Sequence, residues 1–155
     1  MKAEYINPFL EAVNYVLQEV IPGINIKRLP LAKVQTPIST RGCSSLIGVT
    51  GDVDGRVVLD MEREVAIVLA SAMAQETYTQ FDTNVSSAIN ELTNMLCGHA
   101  ITNLNNSGKK LDISAPTLII GKDVVLYDSM IVGEAILITL ETTYGIIYVN
   151  IAMTD

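Results

Sequence analysis

The chain has 155 residues, a net charge of −7 at neutral pH and a pI near 4.6, and 49% of its residues are hydrophobic. That length fits one domain spanning residues 1–155, and a mean hydropathy of +0.36 excludes a disordered chain. Ten Lys plus Arg, set mostly singly against seventeen Asp plus Glu, exclude the basic face needed to bind nucleic acid or an anionic membrane.

With Trp absent and aromatics few, the core is expected from Ile, Val, Leu, Ala and Met. The opening "MKAEYINPFLEAVNYVL" is interrupted by Asn7, Pro8, Glu11 and Asn14, unlike a signal peptide. No run approaches the ~18 apolar residues of a membrane span. Cys43 and Cys97 are far apart and form no CxxC, so both are expected as free, packed thiols of a cytoplasmic protein.

Ile6, Phe9, Leu10, Val13, Val16, Leu17 and Val20 make one helical stripe. Asn7 before Pro8 predicts an N-cap with proline at the first helical position, and Pro22-Gly23 predicts the stop. Three strand-like runs follow. Residues 24–36 alternate around Pro30, as an edge strand or a bulge would. Runs 44–52 and 55–61 flank "DG" at 54–55, a hairpin signal. "GDVDG" lacks the spacing and the final Glu of a calcium loop.

"EREVAIVLASAMA" predicts a second helix with acids in its first turn, where the helix dipole favours them. After "TQFDTN", with Asp82, Thr83 or Asn84 able to cap, a third helix is predicted from about 84 to 105. "LDISAPTLIIG" is extended around Pro116. "SMIVGEAILITL" and "YGIIYVNIAM" predict a hairpin joined at "ETTYG". This order hints at an internal duplication of a helix-plus-three-strand unit. Helices on a largely antiparallel sheet make the expected class α+β. Met73, Met95 and Met130 read as core or interface filler.

The third helix carries the chemistry. On a wheel Val85, Ile89, Leu92 and Leu96 cluster, with Ala88 and Ala100 nearby. Ser87, Glu91, Asn94 and Gly98 occupy a sector roughly 60° wide on the opposite side. Gly98 costs helix stability, about 1 kcal/mol against Ala, and leaves a flat place for another backbone to approach. Residues 84–105 contain no Lys or Arg, so Glu91 lacks the cation that an ordinary exposed helix face supplies. His99 is the sole histidine and reads as a partly buried helix residue. A Ser/His/Asp hydrolase would have to pair His99 with Ser87, and no GxSxG elbow exists. Asn103 falls on the apolar side and is expected to bond a neighbouring backbone. No phosphate-cradling glycine motif for nucleotides is present.

The pattern Ser-x-x-x-Glu-x-x-Asn at 87–94 resembles the active-site signature of the CheC/CheX/FliY phosphatases. "MKAEYINPFLEA", "GVTGDVDGRVVLDM" and "DISAPTLIIGKDV" resemble CheX proteins in order and spacing, so the resemblance covers almost the whole chain. A single clear copy of the signature is similar to CheX rather than to the two-motif CheC. The resemblance implies a CheC-like fold, a homodimer, and hydrolysis of the aspartyl phosphate on a CheY-type receiver. Asn94 would hold the in-line water, since a carboxamide offers an acceptor and two donors. Glu91 would accept a charge-assisted bond from the receiver's Lys. Ser87 and Gly98 would border the docking surface. The chain would need no metal of its own, the Mg²⁺ sitting on the receiver. Apolar runs near the chain end, such as "GIIYVNIAM", are compatible with sheet pairing between subunits.

Asn7, Glu11 and Asn14 repeat the four-then-three spacing on the first helix. Asn7 departs from the Asp or Ser of the signature, so Glu11 and Asn14 form a degenerate second copy. The alternative to an enzyme is a partner-binding module like the FliM middle domain, which hydrolyses nothing.

Overall fold

Helix α1 runs Ala3–Val20 and buries Tyr5, Ile6, Phe9, Ala12, Val13, Val16 and Leu17. The structure, a computed structural model, describes residues 3–127 and 134–154. It overturns the expected start at Asn7-Pro8, because Pro8 lies inside α1. Pro8 has no N–H to donate to the Glu4 carbonyl, which forfeits one helical hydrogen bond. Burial of Tyr5 and Ile6 ahead of it offsets the loss, at about 1.5–3 kcal/mol for a large apolar side chain. Lys109 also clamps this turn, its Nζ lying 3.6 Å from Glu4 and 5.2 Å from the Tyr5 ring centroid.

Residues 24–36 divide around Pro30 into β1 (Ile26–Arg28) and β2 (Ala32–Gln35). β3 (Ile38–Gly51) and β4 (Gly55–Met61) form a hairpin, and GDVDG is its turn. There Asp52 Oδ2 accepts from the Lys110 N–H at 2.9 Å, and the Asp54 N–H donates to Thr154 Oγ1 at 3.0 Å. Helices α2 (Arg63–Ala74) and α3 (Thr83–Asn106) follow. Residues 111–126 divide around Pro116 into β5 (Leu111–Ile113) and β6 (Thr117–Leu126). β7 (Glu134–Thr142) and β8 (Gly145–Met153) close the chain as a second hairpin. Residues 129–133 of the expected strand, Met130 among them, lie outside the described residues; Met73 and Met95 pack half-buried against the core.

The strands form one antiparallel sheet of order β1-β7-β8-β4-β3-β5, with β2 also on β7 and β6 also on β3. The expected duplication is visible in this topology. Each half is a helix, a run broken at a proline, and a hairpin. Each broken run pairs with the hairpin of the other half, and the hairpins meet at β4–β8. Helix α2 has no counterpart. The run "GIIYVNIAM" is β8, flanked by β7 and β4. Both of its edges are used, so it has no edge left for a second subunit.

Alternation in the strands sets the two faces. Val57, Leu59 and Met61 of β4, with Ile147, Val149 and Ile151 of β8, join the core under α1 and α3. Asp60 therefore faces the other side. Only 5% exposed, its Oδ1 accepts from Ser44 Oγ at 2.7 Å and from the Arg41 N–H at 3.2 Å, and Oδ2 lies 3.4 Å from Arg41 Nε. The Arg41 guanidinium stacks 3.5 Å over Tyr148. Cys43 and Cys97 are free and buried, and burial pushes both thiols up to about 12.

Burial raises the Asp60 carboxyl above its usual range, and the Ser44 and Arg41 contacts oppose that only in part. The fold thus holds a proton on Asp60 more tightly than the unfolded chain does. This group's contribution to stability is full below the unfolded pKa and is lost as pH rises through the raised one. Asp60→Asn removes that dependence. Urea midpoints for the two proteins at pH 4 and pH 7.5 should shift in the variant's favour at the higher pH; a constant gap contradicts the assignment.

Candidate active site

Asp82 caps α3, accepting from the Asn84 N–H at 2.9 Å and the Val85 N–H at 3.3 Å. Val85, Ile89, Leu92, Leu96 and Ala100 are then 0–2% exposed on the sheet. Two polar ties set the helix on its strands. Ser45 Oγ on β3 donates to Asn90 Oδ1 at 2.9 Å. At the far end Asn105 bonds Leu111 twice, donating to its carbonyl at 3.0 Å and accepting from its N–H at 2.8 Å. The expectation placed that backbone tie on Asn103. Asn103 makes no side-chain hydrogen bond among the described residues; the tie is made two positions on, by Asn105 to the start of β5.

The packing leaves Ser87, Glu91 and Asn94 exposed in one row and Gly98 half-exposed beside them. A Cβ at Gly98 would meet nothing within 4 Å, so the surface there is open and flat. Glu91 and Asn94 stand about 5–6 Å apart at the Cβ atoms, as i and i+3 residues do. Among the described residues neither side chain has an ion pair or hydrogen bond. The row therefore presents an unpaired carboxylate and an unpaired amide to whatever docks. A carboxylate accepts from a cation, and an amide can hold a water from two sides.

On α1, Asn7, Glu11 and Asn14 are exposed as well. Their surroundings differ, because Glu11 and Asn14 line a cleft that also contains Arg28 from β1. A cation shares that cleft, where the α3 row has none on its own helix. His99 is half-buried and its ring stacks on Tyr15 of α1, with centroids 4.6 Å apart and planes 18° apart. Ser87 lies three turns back along the same helix, about 18 Å away along its axis. No Ser–His pair can form between them, and the hydrolase alternative falls on geometry.

The sequence pattern pointed to the row itself. It missed Tyr15, which lies off the apolar stripe of α1, and Asn90, whose Ser45 partner is distant in sequence. Spacing along one helix carries no signal for contacts made across two elements.

The fold is thus α+β, with a shallow polar row exposed on α3. Residues 43–141 match the family described as chemotaxis phosphatase CheX. The chain is 31% identical to the CheY-P phosphatase CheX of Thermotoga maritima over 125 residues, 80% of each chain. It superposes with TM-score 0.83 on a chain of the CheX–CheY–BeF3–Mg²⁺ complex from Borrelia burgdorferi, 30% identical and covering 97% of this chain and 98% of that one. A CheC-like superfamily protein from Shewanella sp. PV-4 matches with TM-score 0.86 at 24% identity over the whole of both chains. The chain belongs to the CheX family of chemotaxis phosphatases and has the CheC-like fold.

The cap and the row occupy different parts of α3, so they separate in experiment. Asp82→Ala should lower stability by about 1 kcal/mol in urea unfolding. An unchanged midpoint would show that the cap contributes nothing.

Proposed function

We propose that this chain hydrolyses the aspartyl phosphate of a CheY-type receiver, and that the α3 row is its active site. The observation that carries the reading is the unpaired Glu91–Asn94 pair, exposed one turn apart on α3 in a chain of the CheX family. The substrate is an acyl phosphate, already labile. What remains is to place a water in line with the leaving carboxylate oxygen and to exclude other geometries. The water oxygen bonds to phosphorus and the phosphorus–carboxylate bond breaks. Inorganic phosphate and a free aspartate result.

Asn94 is suited to hold that water. Its amide accepts from one water hydrogen and donates toward the phosphoryl oxygens, and it is too weak a base to do more than position. Glu91 docks the helix by accepting from the receiver's Lys, a charge-assisted bond about twice as strong as a neutral one. The lack of Lys and Arg on α3 keeps Glu91 free for that partner. Ser87 and the flat place at Gly98 border the docking surface. Mg²⁺ supplies charge neutralisation at the phosphoryl group from the receiver side, and this chain's residues act around it. The α1 copy, Glu11 with Asn14, is a weaker candidate because Arg28 lines its cleft. Two buried thiols support a cytoplasmic place of action.

The chain is also read as a homodimer, and the edge that suits pairing is β6. Among the described residues β6 pairs only with β3. It carries half-exposed Ile120, Val124 and Val125 and ends beside Tyr127, 83% exposed. An apolar free edge of that kind invites a second strand.

Phosphate release from a phosphorylated receiver with Mg²⁺ tests the active site. Asn94→Ala should lose on the order of 100-fold in kcat, as loss of a positioning group does, while still binding. Glu91→Ala should lose activity through docking, and Glu11→Ala/Asn14→Ala should stay close to wild type. Full rates in both α3 variants would sink the assignment. Receiver binding by the wild type without any hydrolysis would make the chain a binding module instead. For the dimer, Val125→Lys should halve the mass seen by light scattering; a wild-type monomer would remove that reading.

A further inference from the structure

The α3 row has a gap as a protein-docking surface. It is made of a hydroxyl, a carboxylate, an amide and a glycine, and it holds no apolar anchor. Protein interfaces draw most of their affinity from a few buried aromatic or guanidinium groups near the centre. Among the described residues Tyr15 is the one exposed large hydrophobic side chain on α1 or α3, at 51% exposure. Its ring lies on His99, the residue after Gly98.

We propose that the Tyr15–His99 stack is the apolar anchor of the receiver-docking surface, and that it sets affinity for the receiver without touching the phosphoryl group. This rests on the phosphatase reading above and adds the part of the surface that grips. Three features carry it. The first is reach. His99 lies five residues past Asn94, about 7.5 Å along the helix axis. A standard interface buries about 800 Å² per partner, a patch roughly 30 Å across. Around α3 His99 is turned about 140° from Asn94, toward α1. The stack therefore lies to the side of the row by roughly one interhelix spacing of about 8–10 Å, and it also borders the Glu11–Asn14 cleft. A patch of that size centred on Glu91 and Asn94 takes it in.

The second feature is rigidity. An exposed tyrosine ordinarily turns freely and loses that freedom when it binds. Tyr15 rests flat against an imidazole, so less of that freedom is left to lose when the partner arrives. The third is the state of His99. Its Nε2 is fully buried and has no hydrogen-bond partner among the described residues. A polar atom left so is worth explaining. The imidazole serves through its face, as the shelf for Tyr15. The occupant that fits is an apolar side chain of the docked receiver, about 12 Å along the helix axis from the group that meets Glu91.

The test compares wild type, Tyr15→Ala, Tyr15→Phe, His99→Ala, Glu91→Ala and Asn94→Ala, each checked for an unchanged melting temperature. It measures KM and kcat on the phosphorylated receiver and Kd for the receiver loaded with beryllofluoride and Mg²⁺. Tyr15→Ala should raise KM and Kd about tenfold, the size of a typical anchor loss, with the effect on KM rather than kcat. Tyr15→Phe keeps the ring and should restore tight binding. His99→Ala removes the shelf and should give an intermediate rise. Unchanged KM and Kd in Tyr15→Ala overturn the proposal, as does a fall in kcat at constant KM. The two readings fail separately. Wild-type rates in both Asn94→Ala and Glu91→Ala refute the α3 active site, while the beryllofluoride Kd still decides the fate of Tyr15.

Discussion

The burial of one stripe of α3 governs what the molecule can present. Val85, Ile89, Leu92 and Leu96 are 0–2% exposed against the sheet. At about 1.5–3 kcal/mol each, their burial is worth on the order of 6–12 kcal/mol. Turning the helix by one residue, ~100°, would lift part of that stripe into water and drive His99 toward the sheet. An unpaired group taken into the interior costs a further penalty of several kcal/mol if it carries charge, as Glu91 does. The rotation of α3 is therefore fixed by packing, and the outward row of Ser87, Glu91 and Asn94 is its consequence. The Ser45–Asn90 and Asn105–Leu111 bonds add direction to a force that has none of its own.

The sheet explains why the helix can be seated so firmly. Each half of the chain lends its broken run to the hairpin of the other, so neither half completes its sheet alone. α1 and α3 lie over the result as pseudo-equivalent helices, both with a Glu and an Asn facing out. The equivalence ends in their surroundings. Arg28 of β1 lines the cleft of Glu11 and Asn14, and the row on α3 keeps its carboxylate free. Two like motifs on one scaffold are thus separated by which strand runs beside them.

Legibility differed from element to element for physical reasons. The stripes of α1 and α3 are periodic because a helix on a sheet buries one side, so both could be read directly. The N-terminus of α1 could not, because Pro8 is a strong local signal and the burial of Tyr5 and Ile6 that overrides it is tertiary. The run "GIIYVNIAM" reads as a strand at any position in a sheet; that it lies at the centre, between β7 and β4, follows from pairings more than eighty residues distant as well as from its own hairpin. Asn103 and Asn105 look alike in sequence, and only the position of Leu111 selects the second.

The sequence by itself determined the α+β class, the outward row on α3, the absence of a competing cation on that helix, and the family the chain belongs to. Those properties reside in spacing and composition along single elements, which a linear string preserves. The tertiary structure alone decided that Tyr15 lies on His99, that Arg28 lines the cleft of the α1 copy, and that Ser87 and His99 are too far apart to react together. Each of these is a contact or a distance between side chains, and the chain's order sets no such distance until the sheet has brought its two halves together.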